Sequence, residues 1–179
     1  MELTLQNLED DVRTRLYMVE ELEHDLTSNQ MYPGKRLTVV GSQAWPDLLR
    51  EALEFHDPEW LEHQSRQPGF WLEHEVSVRK GKSYTKVVPR DAAKTLAEGQ
   101  FMRYYLRAVA RRAIEDGLEL EVVRLKEVER PRSISLQLIG ARVDPQLLLE
   151  SLRQNHGIEP FLNIPPGPNS GLGVVIVPR

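Results

Sequence analysis

Apolar residues recur at helical spacing along much of this chain. Leu5, Leu8, Val12, Leu16, Val19, Leu22 and Leu26 step by three and four, which predicts an amphipathic helix over about residues 4–27 within an acidic segment 1–30. Acidic residues dominate its outer face. The register also fits a heptad seam, but Arg15 interrupts it and it spans barely three heptads, so packing on its own domain is expected rather than a coiled coil. The longest helical pattern is 91–117, DAAKTLAEGQFMRYYLRAVARRAIEDG, with Asp91 placed to cap its start and Gly117 to take the left-handed position past its end. Met102, Leu106, Val109 and Ala113 share one side with Tyr105 and Ala110 beside them, and that side is expected to be buried. Arg103, Arg107 and Arg111 form a row on another side, next to Tyr104, while Arg112 projects elsewhere.

Between these helices the pattern changes period. Tyr32, Pro33 and Gly34 mark a turn, and 36–40 reads as a short strand ended by Gly41. Trp45, Pro46 and Asp47 open a helix with Leu48, Leu49, Ala52, Leu53 and Phe55 on its buried side, and Asp57 and Pro58 restart a short turn through Leu61. Gln67, Pro68 and Gly69 break the chain before 69–90, a β-branched and aromatic stretch centred on Arg79, Lys80, Gly81 and Lys82. It predicts a long hairpin arm with a cationic tip. Val76, Val78, Tyr84 and Val87 read as an apolar stripe along it. Beyond the central helix, Leu118, Leu120 and Val122 alternate with glutamates, and the phase shift at Val123 and Leu125 predicts a bulge or bend near Val122. Pro131 interrupts that ladder, and Ile134, Leu136 and Leu138 read as a further strand ended by Gly140. Asp144 and Pro145 start a last helix, closed by Gly157, with Leu148, Leu149 and Leu152 on its apolar side. A loop of three prolines, 164–171, leads into an all-apolar final strand, 173–177.

These elements predict an α+β protein: about four helices packed on one mixed or antiparallel sheet, with a long basic hairpin before a central long helix. At 179 residues and 20.6 kDa, one domain is expected. A 40% apolar and 28% charged composition is ordinary for a soluble globular chain, and no apolar run approaches the length of a membrane span. The opening MELTLQNLEDD lacks the basic and apolar regions of a secretory signal, so a cytoplasmic location is expected. Cysteine is absent, which excludes disulfide frameworks, thiolate metal sites and cysteine nucleophiles.

The net charge of −4 conceals an uneven distribution. Residues 1–78 carry 16 acidic and 6 basic side chains, 79–132 carry 8 and 14, and 133–179 carry 3 of each. Such asymmetry marks a surface for an anionic partner, a pair of patches that attract each other between copies, or neutralisation within the fold.

Enzymatic motifs are missing: no G-x-S-x-G, no phosphate-binding G-x-x-x-x-G-K, no G-x-G-x-x-G and no H-E-x-x-H occurs. His24, His56 and His156 stand in unrelated contexts and read as surface or capping residues. Trp60, Leu61, Glu62 and His63 recur as Trp71, Leu72, Glu73 and His74, but the spacing matches no metal-binding motif and reads as coincidence around packed tryptophans. Neither a metal nor a cofactor is expected. The basic constellation is the most informative feature. Arg79, Lys80, Lys82 and Lys86 on the hairpin, with Arg90, Lys94, Arg103, Arg107 and Arg111 on and before the helix, form candidate anion, nucleic-acid or partner-binding residues, and Tyr84 and Tyr104 are candidates for stacking on bases. The physical alternative is that the arginines pair with the acidic N-terminal region, within one subunit or across to a neighbour.

The order of parts, acidic helix, hairpin arm, long helix and then strands, is similar in layout to shell and virion subunits whose arms reach over neighbours, although no sequence motif accompanies the layout. The expected role is a non-enzymatic, self-associating structural or assembly protein, a homo-oligomer in the cytoplasm or a virion. A nucleic-acid-binding accessory protein is the alternative, and an enzyme the third.

Overall fold

The computed structural model describes residues 3–32, 34–127, 133–155 and 171–179. Among them the chain forms six helices and two antiparallel sheets, an α+β fold as the pattern predicts, with two sheets in place of the single one expected and two helices more. In order these are α1 (Arg13–Thr27), α2 (Val39–Phe55), α3 (Pro58–Ser65), β1 (His74–Arg79), β2 (Lys82–Val87), α4 (Ala92–Asp116), β3 (Glu119–Arg124), α5 (Ser133–Leu138), β4 (Arg142–Val143), α6 (Pro145–Gln154) and β5 (Leu172–Val177). The chain divides into two compact units, Pro33–Glu98 and the remainder, with the division falling inside α4.

In the larger unit, Met1–Tyr32 with Gly99–Arg179, the core gathers on α4. Every residue from 101 to 110 is buried, so the expectation of one apolar side gives way to a helix enclosed all round, arginine side included. The α4 ending follows its sequence: Gly117 sits at φ +67°, the Leu118 amide donates to the Ala113 carbonyl at 2.8 Å and the Gly117 amide to Ile114 at 3.3 Å. That pair of bonds satisfies carbonyls the helix would otherwise leave open. At the start, the Asp91 carbonyl accepts from the Thr95 amide at 2.9 Å, the first bond of the helix.

The sheet of this unit has the order β4-β3-β5, with β3 paired to β5 from Glu119↔Val177 to Arg124↔Leu172 without interruption. Against β5 the strand carries no bulge, but on the β4 side two residues oppose Val122: the Gly140 amide, at φ +83°, donates to the Val122 carbonyl at 2.8 Å and the Val122 amide donates to the Ala141 carbonyl at 2.9 Å, so the irregularity lies beside Val122 on the partner segment. Leu120 and Val122 keep one phase on the core side, and Leu125 reaches the core only after the strand has ended. The Leu125 side chain fills the space over Gly173, where an added Cβ would lie 2.1 Å from Leu125 Cδ1. The predicted strand over 134–138 is instead helix α5, with Ser135 buried and Leu136 exposed. A five-residue alternation is too short to separate strand from helix by period. Asp144 caps α6 by accepting from the Leu147 amide at 2.9 Å, with Pro145 in the first turn. The expectations for Pro131, His156, Gly157 and the 164–170 loop fall outside the described residues.

In the unit Pro33–Glu98, α2 begins earlier than Trp45–Asp47 suggests, and the predicted strand 36–40 shrinks to one bridge, Leu37↔Trp71. Thr38 is the reason. Its side chain accepts from the Gly41 amide at 3.1 Å, capping a helix that takes up the β-branched but exposed Val39 and Val40 and places Pro46 in its interior. Gly41 permits the crossing of 36–38 with 70–72, since a Cβ there would stand 2.3 Å from the Phe70 carbonyl oxygen. Asp57 caps α3, accepting from the Trp60 amide at 2.7 Å, so the expected short turn is a helix through Ser65.

Candidate functional site

The arginine row predicted on the central helix does form, but inside the larger unit. Residues three and four apart share a helix side, so Arg103, Tyr104, Arg107 and Arg111 line up and face α1 and the C-terminal end of α6. Arg107 is wholly buried. Its Nη1 donates to Asp25 Oδ2 at 2.8 Å and lies 3.8 Å from Glu21 Oε2, and its Nη2 donates to the Leu152 carbonyl at 2.8 Å. Arg103 Nη1 donates to the same Leu152 carbonyl at 2.8 Å and to the Asn155 carbonyl. These oxygens belong to the last turn of α6, the negative end of its dipole, where cations are favoured. Tyr104 donates from its hydroxyl to Asp25 Oδ2 at 3.1 Å, and Arg111 donates to Glu20 at 2.6 Å and Glu21 at 3.3 Å while its guanidinium covers the Tyr17 ring at 4.0 Å.

Sequence reasoning offered the acidic N-terminal region as a partner for the arginines but did not find which of its residues turn inward. The α1 side turned inward carries Thr14, Met18, Glu21, Leu22 and Asp25, whereas Val12 and Leu16 of the predicted apolar stripe are exposed. Glu21 and Asp25 belong to the acidic residues assigned to the outer face. The α4 arginines explain the rotation, because burying the row demands carboxylates opposite it. Arg153 of α6 completes the cluster by holding Glu21 with bonds of 2.6 and 3.0 Å. On a neighbouring side of α4, Arg112 reaches Asp10 at 2.7 Å, the Thr14 hydroxyl at 2.8 Å and the Asn7 carbonyl at 3.2 Å. Arg13, at the start of α1, donates to Asp116 at 2.9 Å.

Electrostatics follow the geometry. Burial pushes the Glu21 carboxyl up, but Arg153, Arg107 and Arg111 together outweigh it and hold the group below its ordinary value. Burial and, after it, the neighbouring Arg107 bring Arg103 down to about 10. Burial and the nearby Asp25 charge raise the Tyr104 hydroxyl well above its ordinary value, so it remains a donor. An open groove of about 370 Å³ beside the cluster has Arg111 and Arg153 in its walls, and both guanidiniums already hold carboxylates. With Tyr104 and Arg107 fully buried and Arg103 nearly so, these three offer no accessible face to a phosphate backbone. The arrangement is the intramolecular pairing that the charge asymmetry allowed.

The hairpin cations stand differently. Arg79, Lys80, Lys82 and Lys86 are all exposed. Lys80 and Gly81 form the two-residue turn, both at positive φ, 51° and 75°. The register His74↔Val87 to Arg79↔Lys82 sorts the side chains, since directly opposite residues point to the same face. One face carries Val76, Val78 and Val87 with Ser83 and Thr85. The other carries Arg79, Lys82 and Lys86 around Tyr84, so Tyr84 leaves the apolar stripe to which the sequence assigned it. Glu75 is the acidic residue on this second face, holding Arg36 at 2.7 Å and Lys86 at 3.1 Å. The valines are 73%, 68% and 70% exposed, and among the described residues no third strand joins this sheet.

Among the described residues no group of three or more histidine, aspartate or glutamate side chains is placed to hold a metal ion, and no helix is long and apolar enough to cross a membrane. Compared with protein-family models, with curated proteins and with solved structures, the chain has no match.

Proposed function

We propose that this protein is a non-enzymatic, self-associating assembly subunit, in the cytoplasm or in an assembled particle, and that the β1–β2 hairpin is the arm through which copies meet. The observation that carries this reading is the uncovered valine face of a two-stranded sheet. Such a hairpin alone is marginal in water, and its stability rises when a third strand or an apolar surface covers it. Covering a valine completely contributes about 1.5 kcal/mol, so a symmetric contact in which Val76 and Val78 of two arms meet gathers at most roughly 6 kcal/mol from four side chains before the cost of association. The side chains alone therefore support a weak contact, to which the backbone hydrogen bonds of the joined arms add, and a weak contact is one that concentration regulates.

Light scattering across a concentration series tests the reading. A mass rising above that of the 20.6 kDa chain as concentration reaches about tens of micromolar is expected. A constant monomer mass throughout removes it.

A second reading rests on the register of the same hairpin, which brings Arg79, Lys82 and Lys86 together around Tyr84. Three cations flanking an aromatic ring suit a single nucleic-acid strand, the phosphates meeting the cations and a base the ring. Binding through this face weakens with salt at a slope of about 0.7 per phosphate contact, or roughly two for three contacts of which Lys86 already has a carboxylate partner. An oligonucleotide that leaves the light scattering unchanged at low salt disposes of this reading and leaves the first untouched.

A further inference from the structure

We infer that two copies join β1 to β1 in antiparallel register about a two-fold axis at Ser77, with the β1 edge as the docking surface and a second copy of this chain as its occupant. The inference rests on the self-association proposed above and specifies its geometry. It begins with the turn. A two-residue hairpin turn is flanked by a hydrogen-bonded pair, here Arg79↔Lys82, and such pairs recur at every second position. The Val88 amide donating to the Glu73 carbonyl at 3.0 Å continues the series at the hairpin base. The backbone groups of His74, Val76 and Val78 therefore point away from β2, to the outer edge of β1. At the base that edge is occupied, because the Leu72 amide donates to the Arg36 carbonyl at 2.9 Å and Leu37 bridges Trp71. From residue 74 onward no other strand pairs with it among the described residues.

The side chains select the edge. Antiparallel pairing of β1 with its copy about Ser77 sets Glu75 opposite Arg79 twice and Val76 opposite Val78 twice, so charges complement on one face and valines meet on the other. Glu75 is held in place by Arg36 and Lys86, and Arg79 has no ion pair among the described residues. A carboxylate has acceptor capacity for a further donor. The β2 edge behaves oppositely. Its symmetric pairing about Tyr84 sets Lys82 against Lys86 twice, the placement of lysines that keeps an edge from joining another. Pairing β1 with β2 of the next copy is head-to-tail and leaves an open edge for continued growth, whereas β1 with β1 closes as a dimer.

The hairpin base selects the register. Moving the axis to Val76 brings the neighbour's turn against Leu72, where the 36–38 segment already lies. Moving it to Val78 sets Arg79 opposite Ser77 and removes both charge pairs. Ser77 is the position that keeps the charge pairs and avoids the base.

Single cysteines test this in a chain that has none of its own. About the proposed axis the two Ser77 residues form a non-hydrogen-bonded pair, whose Cα atoms lie about 4.5 Å apart, within disulfide range. Ser77→Cys in the full chain, mildly oxidised at a concentration where the parent self-associates, is expected to run as a linked dimer on a non-reducing gel. Tyr84→Cys, at the symmetric position of β2, is expected to remain mostly monomeric. Val76→Lys with Val78→Lys, at exposed positions, is expected to keep the parent's circular dichroism and melting point while weakening association about tenfold or more. A parent that self-associates while Tyr84→Cys links and Ser77→Cys does not, or while neither links, overturns the β1 pairing and leaves self-association standing. Association only after an oligonucleotide is added overturns the pairing as well. A monomeric parent removes both.

Discussion

Among the described residues Arg107 is the largest fully buried charged side chain. A guanidinium with no exposure, bonded to Asp25 and to the Leu152 carbonyl, ties three helices of the larger unit to one point. Removing one partner of a buried pair leaves the other uncompensated, which costs about 3–5 kcal/mol. Arg107→Met is therefore expected to destabilise the protein by about that amount in urea unfolding, and a loss below about 1 kcal/mol would show that Asp25 finds another partner. Glu21 adds a pH dependence with a definite sign. Its carboxyl is held below its ordinary value of 4.5, so its contribution is present above that pH and disappears as pH falls through the lower folded value. The melting temperature should decline on acidification below about pH 4.5, and Glu21→Gln should show a shallower decline over that window. An unchanged slope in Glu21→Gln would assign the acid sensitivity to other carboxylates. At this scale the sequence was half legible. The alignment of Arg103, Arg107 and Arg111 follows from helix spacing, but their carboxylate partners sit on α1 at positions that an apolar-pattern reading turns to solvent. Glu21 and Asp25, four residues apart on one helix, carry the spacing that matches a row of arginines. Hydrophobic periodicity has no means of ranking a buried ion pair above Val12 and Leu16.

Elements whose ends are written in local chemistry were readable. Gly117, Asp144 and the Lys80–Gly81 turn each act where the sequence places them, because a left-handed residue, a capping carboxylate and a two-residue turn are settled within a few residues of chain. Elements whose identity depends on a distant partner were not. The 134–138 alternation becomes a helix, and 36–40 gives Val39 and Val40 to α2, whose start Thr38 caps. Gly41 shows how a distant contact governs an element. The Phe70 carbonyl stands where its Cβ would be, so the α2 start and the 36–38 crossing depend on a missing side chain. Gly41→Ala should cost about 1–3 kcal/mol through overpacking against a backbone atom that cannot rotate away. Loss of the Leu37↔Trp71 bridge should appear as faster amide exchange at Thr38 and Leu72, whose amides donate to Phe70 and Arg36. Exchange equal to that of the parent would mean that the crossing tolerates a methyl group.

Across the whole molecule, the charge asymmetry of the sequence divides into two outcomes. Acidic residues of the first 32 positions meet the α4 arginines inside one unit, as Asp25 with Arg107, Glu20 with Arg111 and Asp10 with Arg112. That half of the basic constellation is consumed by folding. Arg79, Lys80 and Lys82 remain without ion pairs among the described residues, on a hairpin whose other face is valine. Composition foretold the asymmetry but not its division, which depends on which cations α1 reaches. The proposed role in assembly therefore rests on the hairpin, and it is tested most directly by sedimentation velocity of the parent and of Val76→Lys/Val78→Lys, run side by side from about 1 to 100 μM. The parent should sediment faster as concentration rises, while the variant stays at the rate of a single 20.6 kDa chain. Identical, concentration-independent monomer profiles for the two proteins would contradict the account.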